Sequence, residues 1–224
     1  MTFSIVARCI ETGMFGVAVS SSSPAVAARC SFARAGVGAV ASQNVTDPGL
    51  GPRALDLMAQ RATAAEAVAI LVRSNAHMAY RQLLAVDQTG ASATHSGGNA
   101  LGIWDAANAE NVACGGNLLA NPDVPRAMRD AFLASKGDLG DRLILALRAA
   151  RDAGGEAGPV HSAGMKLVRE MSWPVADLRC DWTEKCPIEQ VATAWEVYKP
   201  QLDSYVTRAI DPEAAPSYGV PGDE

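Results

Sequence analysis

Apolar and polar positions change their spacing several times along the chain, and each change predicts a new element. The stretches "FSIVARC" and "FGVAVSSS" are separated by "ETGM", with Gly13 in the turn, which predicts a β-hairpin. The nearly continuous apolar run from Gly36 to Ser42 predicts a strand buried on both faces. A second hairpin is predicted around Gly90, and "NVACGGNLL" predicts another strand.

Four segments before residue 156 have the spacing of helices. "GPRALDLMAQ" is the first, and "TAAEAVAILVRS" places Thr63 and Glu66 at the spacing of a capping box. In "NPDVPRAMRDAFLAS" we expect Asn121 to be the N-cap, and in "DLGDRLILALRAARDAGG" we expect Asp138 to be the N-cap. Two further strands, "HSAGMKLV" and "PVADLRCD", follow these helices.

The last long element is an amphipathic helix, and the order of all elements predicts the fold class. Apolar positions recur every three or four residues from Ile188 to Val206, with a kink expected at Pro200. Residues 211–224 are rich in Pro and Gly, which predicts an irregular tail. Strands come in blocks, and so do helices, which favours an α+β fold over an alternating parallel one. We therefore predict a single domain over residues 1–224, a four-layer αββα sandwich of two stacked antiparallel sheets flanked by helices.

Composition excludes some classes of partner. The 224 residues carry a formal charge of -5 and include four lysines, so the chain lacks the dense basic face that nucleic-acid binding requires. No apolar run reaches the roughly 20 residues that a membrane span needs. The first residues do not resemble a signal peptide, and the five cysteines are irregularly spaced, so we expect reduced thiols in the cytoplasm.

Metal and cofactor sites are not predicted either. His77, His95 and His161 are far apart and show no paired ligand spacing, and no complete phosphate-binding or dinucleotide-binding motif lies at a strand-to-helix turn. We therefore expect no metal and no cofactor. A homodimer is expected by default, because closed two-fold assemblies are the commonest.

The start of the chain offers a reactive group. Thr2 is small enough to allow removal of Met1, which would leave a threonine hydroxyl beside a free α-amine. Such an amine titrates near pH 7.7 to 8, so it can act as a general base for the adjacent hydroxyl. The other interpretation is that Thr2 is merely the second residue of a strand.

Several ordered motifs carry a family resemblance. "MTFSIVAR", "TGMFGVAVSS", "ARAGVGAVASQ", "GPRALDLMA", "HSGG", "GGNLLANPDV", "DLRCD" and "RAIDP" resemble the bacterial family known as domain of unknown function 1028. The resemblance implies the fold of N-terminal-nucleophile (Ntn) hydrolases, and the first residues also resemble proteasome-type subunits. It implies Thr2 as nucleophile, with the Asn117 side chain and the Gly116 backbone at the oxyanion.

The resemblance also implies substrate-binding residues. Those implied near the cleft are Ser20, Ser42, Gln43, His95, Ser96 and Asp181, and His161 stands where the family tends to have another residue. Proteasome-type sites carry a lysine about thirty residues after the nucleophile, whereas this chain has Arg29 and Arg34. An arginine stays protonated, so either one could bind an acidic substrate or orient Thr2 but could not relay a proton.

Three functional interpretations follow. The first is an amidohydrolase or peptidase that acts on a small amide or peptide-like substrate through Thr2. The second is a non-catalytic protein on the same fold that retains Met1 and binds small molecules or serves in assembly. A third uses Ser96 or Cys114 as an internal nucleophile.

Overall fold

A computed structural model describes residues 1–223. The strands are β1 (Thr2–Arg8), β2 (Phe15–Ser21), β3 (Ser31–Arg34), β4 (Gly38–Asn44), β5 (Arg81–Asp87), β6 (Ser92–Ser96), β7 (Asp105–Ala109), β8 (Val112–Asn117), β9 (Ser162–Val168) and β10 (Ala176–Cys180). The α-helices are α1 (Val26–Cys30), α2 (Leu50–Ala59), α3 (Ala64–Ser74), α4 (Val124–Ala134), α5 (Leu139–Asp152), α6 (Pro187–Tyr198) and α7 (Leu202–Ile210). Short 3-10 turns cover Met78–Tyr80 and Lys199–Gln201.

The strands form two antiparallel sheets. The six-stranded sheet has the order β10-β9-β2-β1-β8-β7, with β1 between its hairpin partner β2 and the later strand β8. The four-stranded sheet has the order β3-β4-β5-β6. The predicted hairpins around Gly13 and Gly90 are both present, as the pairs β1–β2 and β5–β6. The two glycines have the positive φ angles, 70° and 90°, that their turns require.

Alternation along the strands divides the core into layers. In β1, Phe3 and Ile5 pack with α4, α5 and α6, whereas Val6 faces the second sheet. In β5, Leu83 packs with α2 and α3, whereas Leu84 faces the first sheet. Each sheet is thus covered by helices on one side and by the other sheet on its inner side. The predicted sandwich of two stacked antiparallel sheets with outer helices is confirmed.

Helix starts follow the sequence signals at two sites and depart from them at a third. The capping box of Thr63 and Glu66 forms as predicted, and Asp138 is the N-cap of α5. Asn121 is not the N-cap of α4, which begins at Val124 after Asp123. The Asn121 side chain instead accepts from the Asp123 N–H at 2.9 Å and donates to the Ala153 carbonyl at 2.7 Å, so it joins α4 to the end of α5.

Three short elements, α1, β3 and β7, have no counterpart in the sequence prediction. The predicted kink at Pro200 is present, because the last helical segment divides into α6, a 3-10 turn and α7. Of the predicted tail, residues 211–223 form turns and one isolated bridge, and residue 224 lies outside the described residues.

Candidate active site

The ends of several strands meet at one end of the sandwich, which we call the Thr2 end. Thr2 begins β1 and lies opposite Asn117, the last residue of β8. The end of β4 lies above them, because the Ser4 hydroxyl donates to Gln43 Oε1 at 2.6 Å. The antiparallel pairings also bring Ser21, at the end of β2, to this place. Residues far apart in the sequence therefore surround the beginning of one central strand.

The Thr2 hydroxyl is buried beside a row of serines. Its side chain is 6% exposed, and Oγ1 lies 3.3 Å from Ser21 Oγ and in contact with the Met1 carbonyl. The Ser21 hydroxyl also donates to the Met1 carbonyl and lies 2.8 Å from Ser23 Oγ. The Met1 carbonyl therefore contacts both hydroxyl groups, which also lie within hydrogen-bond distance of each other. With Met1 attached, the Thr2 nitrogen belongs to a peptide bond and is no base.

A buried carboxyl, Glu156, lies next to this row. It is 5% exposed, and its two oxygens accept from the Ser22 N–H at 3.1 and 3.2 Å. Burial raises the pKa of Glu156 to about 7, although the positive amino terminus, the Ser22 N–H and His161 act in the opposite direction. Glu156 was absent from the sequence prediction. The available signal was a single acidic residue within the glycine-rich stretch "GGEAG".

His161 lies on the other side of the serine row. Its backbone N–H donates to the Ser21 carbonyl at 2.8 Å, and its ring Nδ1 donates to the Thr183 carbonyl at 2.9 Å. The ring stacks on Trp182, with centroids 4.4 Å apart. Because a carbonyl only accepts, Nδ1 carries the proton in this arrangement, and Nε2 is the nitrogen left for other contacts.

The two arginines proposed for an acidic substrate have different positions. Arg29 lies at the Thr2 end, but its guanidinium donates to Ser23 Oγ at 2.6 Å and to the Pro24 carbonyl at 2.5 Å. It therefore supports the serine turn. Arg34 pairs with Asp56 at 2.8 Å and lies opposite Gly38, at the far end of β4. The structure does not bring Arg34 to the other candidate residues.

Buried amides connect the two sheets behind Thr2. Gln43 Nε2 donates to Gln82 Oε1 at 2.7 Å, and the Asn117 amide donates to the same oxygen at 3.3 Å. Gln82 Nε2 lies 3.0 Å from Ser96 Oγ and 3.1 Å from the Gly116 carbonyl. Asn117 is buried, and among the described residues its amide donates one of its two hydrogens, to Gln82.

The remaining predicted residues face away from the Thr2 hydroxyl or serve the backbone. The Ser20 hydroxyl donates to the Ser162 carbonyl at 3.1 Å, and the Ser42 hydroxyl donates to the Asp47 carbonyl at 2.8 Å. His95 Nε2 donates to the Met78 carbonyl at 3.0 Å, on the face of β6 that packs toward the helices. Asp181 is exposed, and its carbonyl accepts from the Ala25 N–H at 2.9 Å.

The alternative internal nucleophiles are poorly placed. Cys114 is fully buried in the helix-facing core, and burial raises the pKa of its thiol well above the ordinary value, which disfavours the thiolate. Ser96 accepts from Gln82 and has no base within this network. The arrangement that can support nucleophilic chemistry is therefore the hydroxyl of Thr2 with Ser21 and Glu156 beside the chain terminus.

The chain belongs to the DUF1028 family, described as a family of unknown function, which matches residues 2–191. A crystal structure of a DUF1028 protein from Silicibacter pomeroyi is 29% identical and has a TM-score of 0.82, covering 88% of this chain and 89% of that chain. No curated protein matches the chain.

Two further solved structures are more distant. Anbu, an ancestral β-subunit from Yersinia bercovieri, has a TM-score of 0.39 and 8% identity, covering 91% of this chain and 97% of that one. A Gly-1 mutant of Anbu from Hyphomicrobium sp. strain MC1 has a TM-score of 0.34 and 10% identity, covering 92% and 99%. Structural similarity this low supports no conclusion about the function of this chain.

Within residues 1–223, no helix combines the length and the apolar character needed to cross a bilayer. The same residues contain no group of three or more His, Cys, Asp or Glu side chains that could hold a metal ion.

Proposed function

We propose that the chain is an amidohydrolase of the Ntn type, acting on a small amide or peptide-like substrate after removal of Met1. The observation that carries the proposal is the position of Thr2, whose hydroxyl lies beside Ser21 at the beginning of a central strand. The buried carboxyl of Glu156 lies within electrostatic reach of the chain terminus. Removing Met1 would also remove the carbonyl that now contacts both hydroxyl groups.

The proposed reaction uses the new terminus as base. The Thr2 amine takes the hydroxyl proton as Oγ1 attacks the substrate carbonyl carbon, and the second Asn117 amide hydrogen donates to the oxyanion. The C–N bond then breaks, and the leaving amine takes the proton from the Thr2 ammonium. Water hydrolyses the acyl ester in the reverse sense and restores the hydroxyl. In this scheme Ser21 and Glu156 position the terminus and stabilise its ammonium form.

A second candidate is a non-catalytic binding or assembly protein that keeps Met1. The covered Thr2 hydroxyl, 6% exposed, favours it. A cleft of about 700 Å³ also lies elsewhere, between the β1–β2 turn at Glu11 and the α4–α5 connection at Gly137. A homodimer, a cytoplasmic location, a single domain and the absence of a cofactor stay predictions under both proposals.

Intact-mass spectrometry and a Thr2 series test the hydrolase proposal. We expect the mass of the purified protein to lack Met1, and we expect hydrolysis of neutral N-acyl amino-acid anilides. Thr2→Ala should lower kcat by at least about a thousandfold, since it removes the nucleophile, and Thr2→Ser should retain measurable activity.

Thr12→Ala is the matched control, because Thr12 is exposed in the β1–β2 turn and its loss should leave kcat unchanged. A mass that always includes Met1 would reject the proposal and favour the binding protein. Activity that survives Thr2→Ala would also reject Thr2 as nucleophile.

A further inference from the structure

Five large apolar side chains are exposed together near the Thr2 end, and we call them the rim patch. They belong to the segment after β4, the 3-10 turn before β5 and the loop before β7. The members, with their exposed fractions, are Val45 (46%), Tyr80 (43%), Leu101 (45%), Ile103 (47%) and Trp104 (38%). Isolated exposed apolar residues are ordinary, whereas a cluster on one face indicates a binding surface.

The side chain of Asn44 joins the parts of the rim patch. Its Nδ2 donates to the Tyr80 carbonyl at 2.7 Å, and its Oδ1 accepts from the Leu101 N–H at 3.3 Å. Val45 is the next residue, and its carbonyl accepts from the Arg81 guanidinium. Asn44 itself has a positive φ of 78°, which turns the chain out of β4 at this point. The patch is therefore held by defined backbone contacts.

Two hydrogen bonds also connect the rim patch to the strand beside Thr2. The Leu118 N–H donates to the Leu101 carbonyl, and the Leu119 N–H donates to the Ile103 carbonyl, both at 2.9 Å. Leu118 directly follows Asn117, which lies opposite Thr2. Strand spacing then puts the loop backbone roughly 10 Å from Thr2, the reach of one amino-acid residue or acyl group.

The size of the patch suits a small group better than a second copy of the chain. Exposed fractions of 38% to 47% on five such side chains correspond to on the order of 400 Å². A stable interface buries about 800 Å² on each partner. The patch falls well short of that area by itself, whereas it can cover one apolar substituent of a small molecule.

Charge near the patch disfavours an acidic ligand. The five side chains are uncharged, and the two guanidinium groups at this end already have acceptors: Arg29 donates to Ser23 and Pro24, and Arg81 donates to the Val45 carbonyl. The ionised form of Glu156, which has a pKa of about 7, would repel a second carboxylate. We infer that the rim patch binds a large uncharged apolar group of the substrate, next to the amide presented to Thr2. This inference rests on the proposed hydrolase function.

Binding measurements test the inference without relying on turnover. Isothermal titration of the full-length Thr2→Ala variant should compare N-acetyl-leucyl anilide, N-acetyl-glycyl anilide and N-acetyl-glutamyl anilide. We expect the leucyl compound to bind at least about tenfold more tightly than the glycyl one, since burial of one such side chain is worth that factor. We expect the glutamyl compound to have no advantage over the glycyl one.

Variants locate the effect at the patch. Ile103→Asn should abolish the preference for leucyl over glycyl, while Val197→Asn, at a 66% exposed apolar position of α6, should leave it intact. Equal binding of the two compounds, a preference that survives Ile103→Asn, or tighter binding of the glutamyl compound would overturn the inference. So would a dimer that Ile103→Asn converts to a monomer in sedimentation.

The hydrolase proposal fails on a different measurement. A retained Met1 without hydrolysis would reject the Thr2 mechanism whatever the titrations show. A lost leucyl preference with intact hydrolysis would reject the rim patch and leave the mechanism standing.

Discussion

Burial raises the pKa of Glu156 to about 7, and this property makes stability depend on pH. With its pKa raised from 4.5 to about 7, the folded chain holds the proton more tightly than the unfolded chain. Stability therefore falls as pH rises from about 4.5 to about 7. Glu156→Gln replaces the carboxyl by an amide that does not ionise, so this fall in stability is absent from the variant. We expect its free energy of unfolding, relative to wild type, to be higher at pH 8 than at pH 5 by on the order of 2–3 kcal/mol.

Urea unfolding at both pH values measures this difference. Glu110→Gln is the matched control, because Glu110 is exposed in the turn between β7 and β8. Its effect should be within about 0.5 kcal/mol at either pH. A Glu156→Gln variant whose relative stability does not change with pH would show that the folded carboxyl is ionised throughout this range.

At the scale of single residues, the sequence suggests a candidate nucleophile more readily than it predicts the surroundings of that residue. Thr2 could be proposed from its position alone, because the chemistry of a terminal threonine is local. Glu156 could not, because its pKa arises from burial beside Ser22, which follows β2 and lies 134 positions away. Arg34 was predicted at the site because it is close in sequence to Arg29. It lies at the other end of the sandwich, opposite Gly38.

Among the elements, α5 and α6 meet at a glycine whose replacement tests the outer helical layer. A Cβ on Gly140 would lie 2.5 Å from Trp195 Cζ2 and 2.6 Å from Cε2. The ring cannot easily retreat, because its Nε1 donates to Asp141 at 2.7 Å. Gly140→Ala gains about 1 kcal/mol of helix propensity but overpacks this contact. We expect a net loss of about 1–2 kcal/mol in the free energy of unfolding, measured in urea.

Gly98→Ala is the comparison for that helix contact, because Gly98 is exposed and a Cβ there would meet nothing within 4 Å. It should change the unfolding free energy by less than about 0.5 kcal/mol. If Gly140→Ala matched or exceeded wild-type stability, α6 would have room to move away from α5, and the outer layer would be loosely packed.

Elements with a long periodic pattern or a clear local signal are the ones that the sequence predicts well. The capping box of Thr63 and the split at Pro200 depend on residues within a few positions, and both are present. The missed elements are short. α1 has five residues, and β3 and β7 have four and five. Such segments have too few residues for a period, and their form is set by neighbouring strands of the sheet.

Across the whole molecule, the space between the two sheets changes character from one end to the other. Away from Thr2 it is filled by apolar side chains such as Val17, Leu84 and Val86. Toward Thr2 it contains the fully buried amides of Gln43 and Gln82. Amides at this position hold the site with directed hydrogen bonds, whereas an apolar filling would leave the polar groups of the strand ends unpaired.

Gln82 is the centre of this contact between sheets, so its loss should affect the whole fold. Gln82→Leu keeps the approximate volume but removes the partner of the Gly116 carbonyl, of the Asn117 amide and of one hydrogen of the Gln43 amide, whose other hydrogen bond to Gly115 remains. With about 1 kcal/mol or more for each orphaned group, we expect a loss of about 3 kcal/mol and a fall in Tm of roughly 10 °C in calorimetry. Gln88→Leu, at a half-buried position in the turn after β5, should shift Tm by no more than about 2 °C. Equal Tm values for the two variants would mean that the sheets are joined by apolar packing alone and that the amides serve the site without stabilising the sandwich.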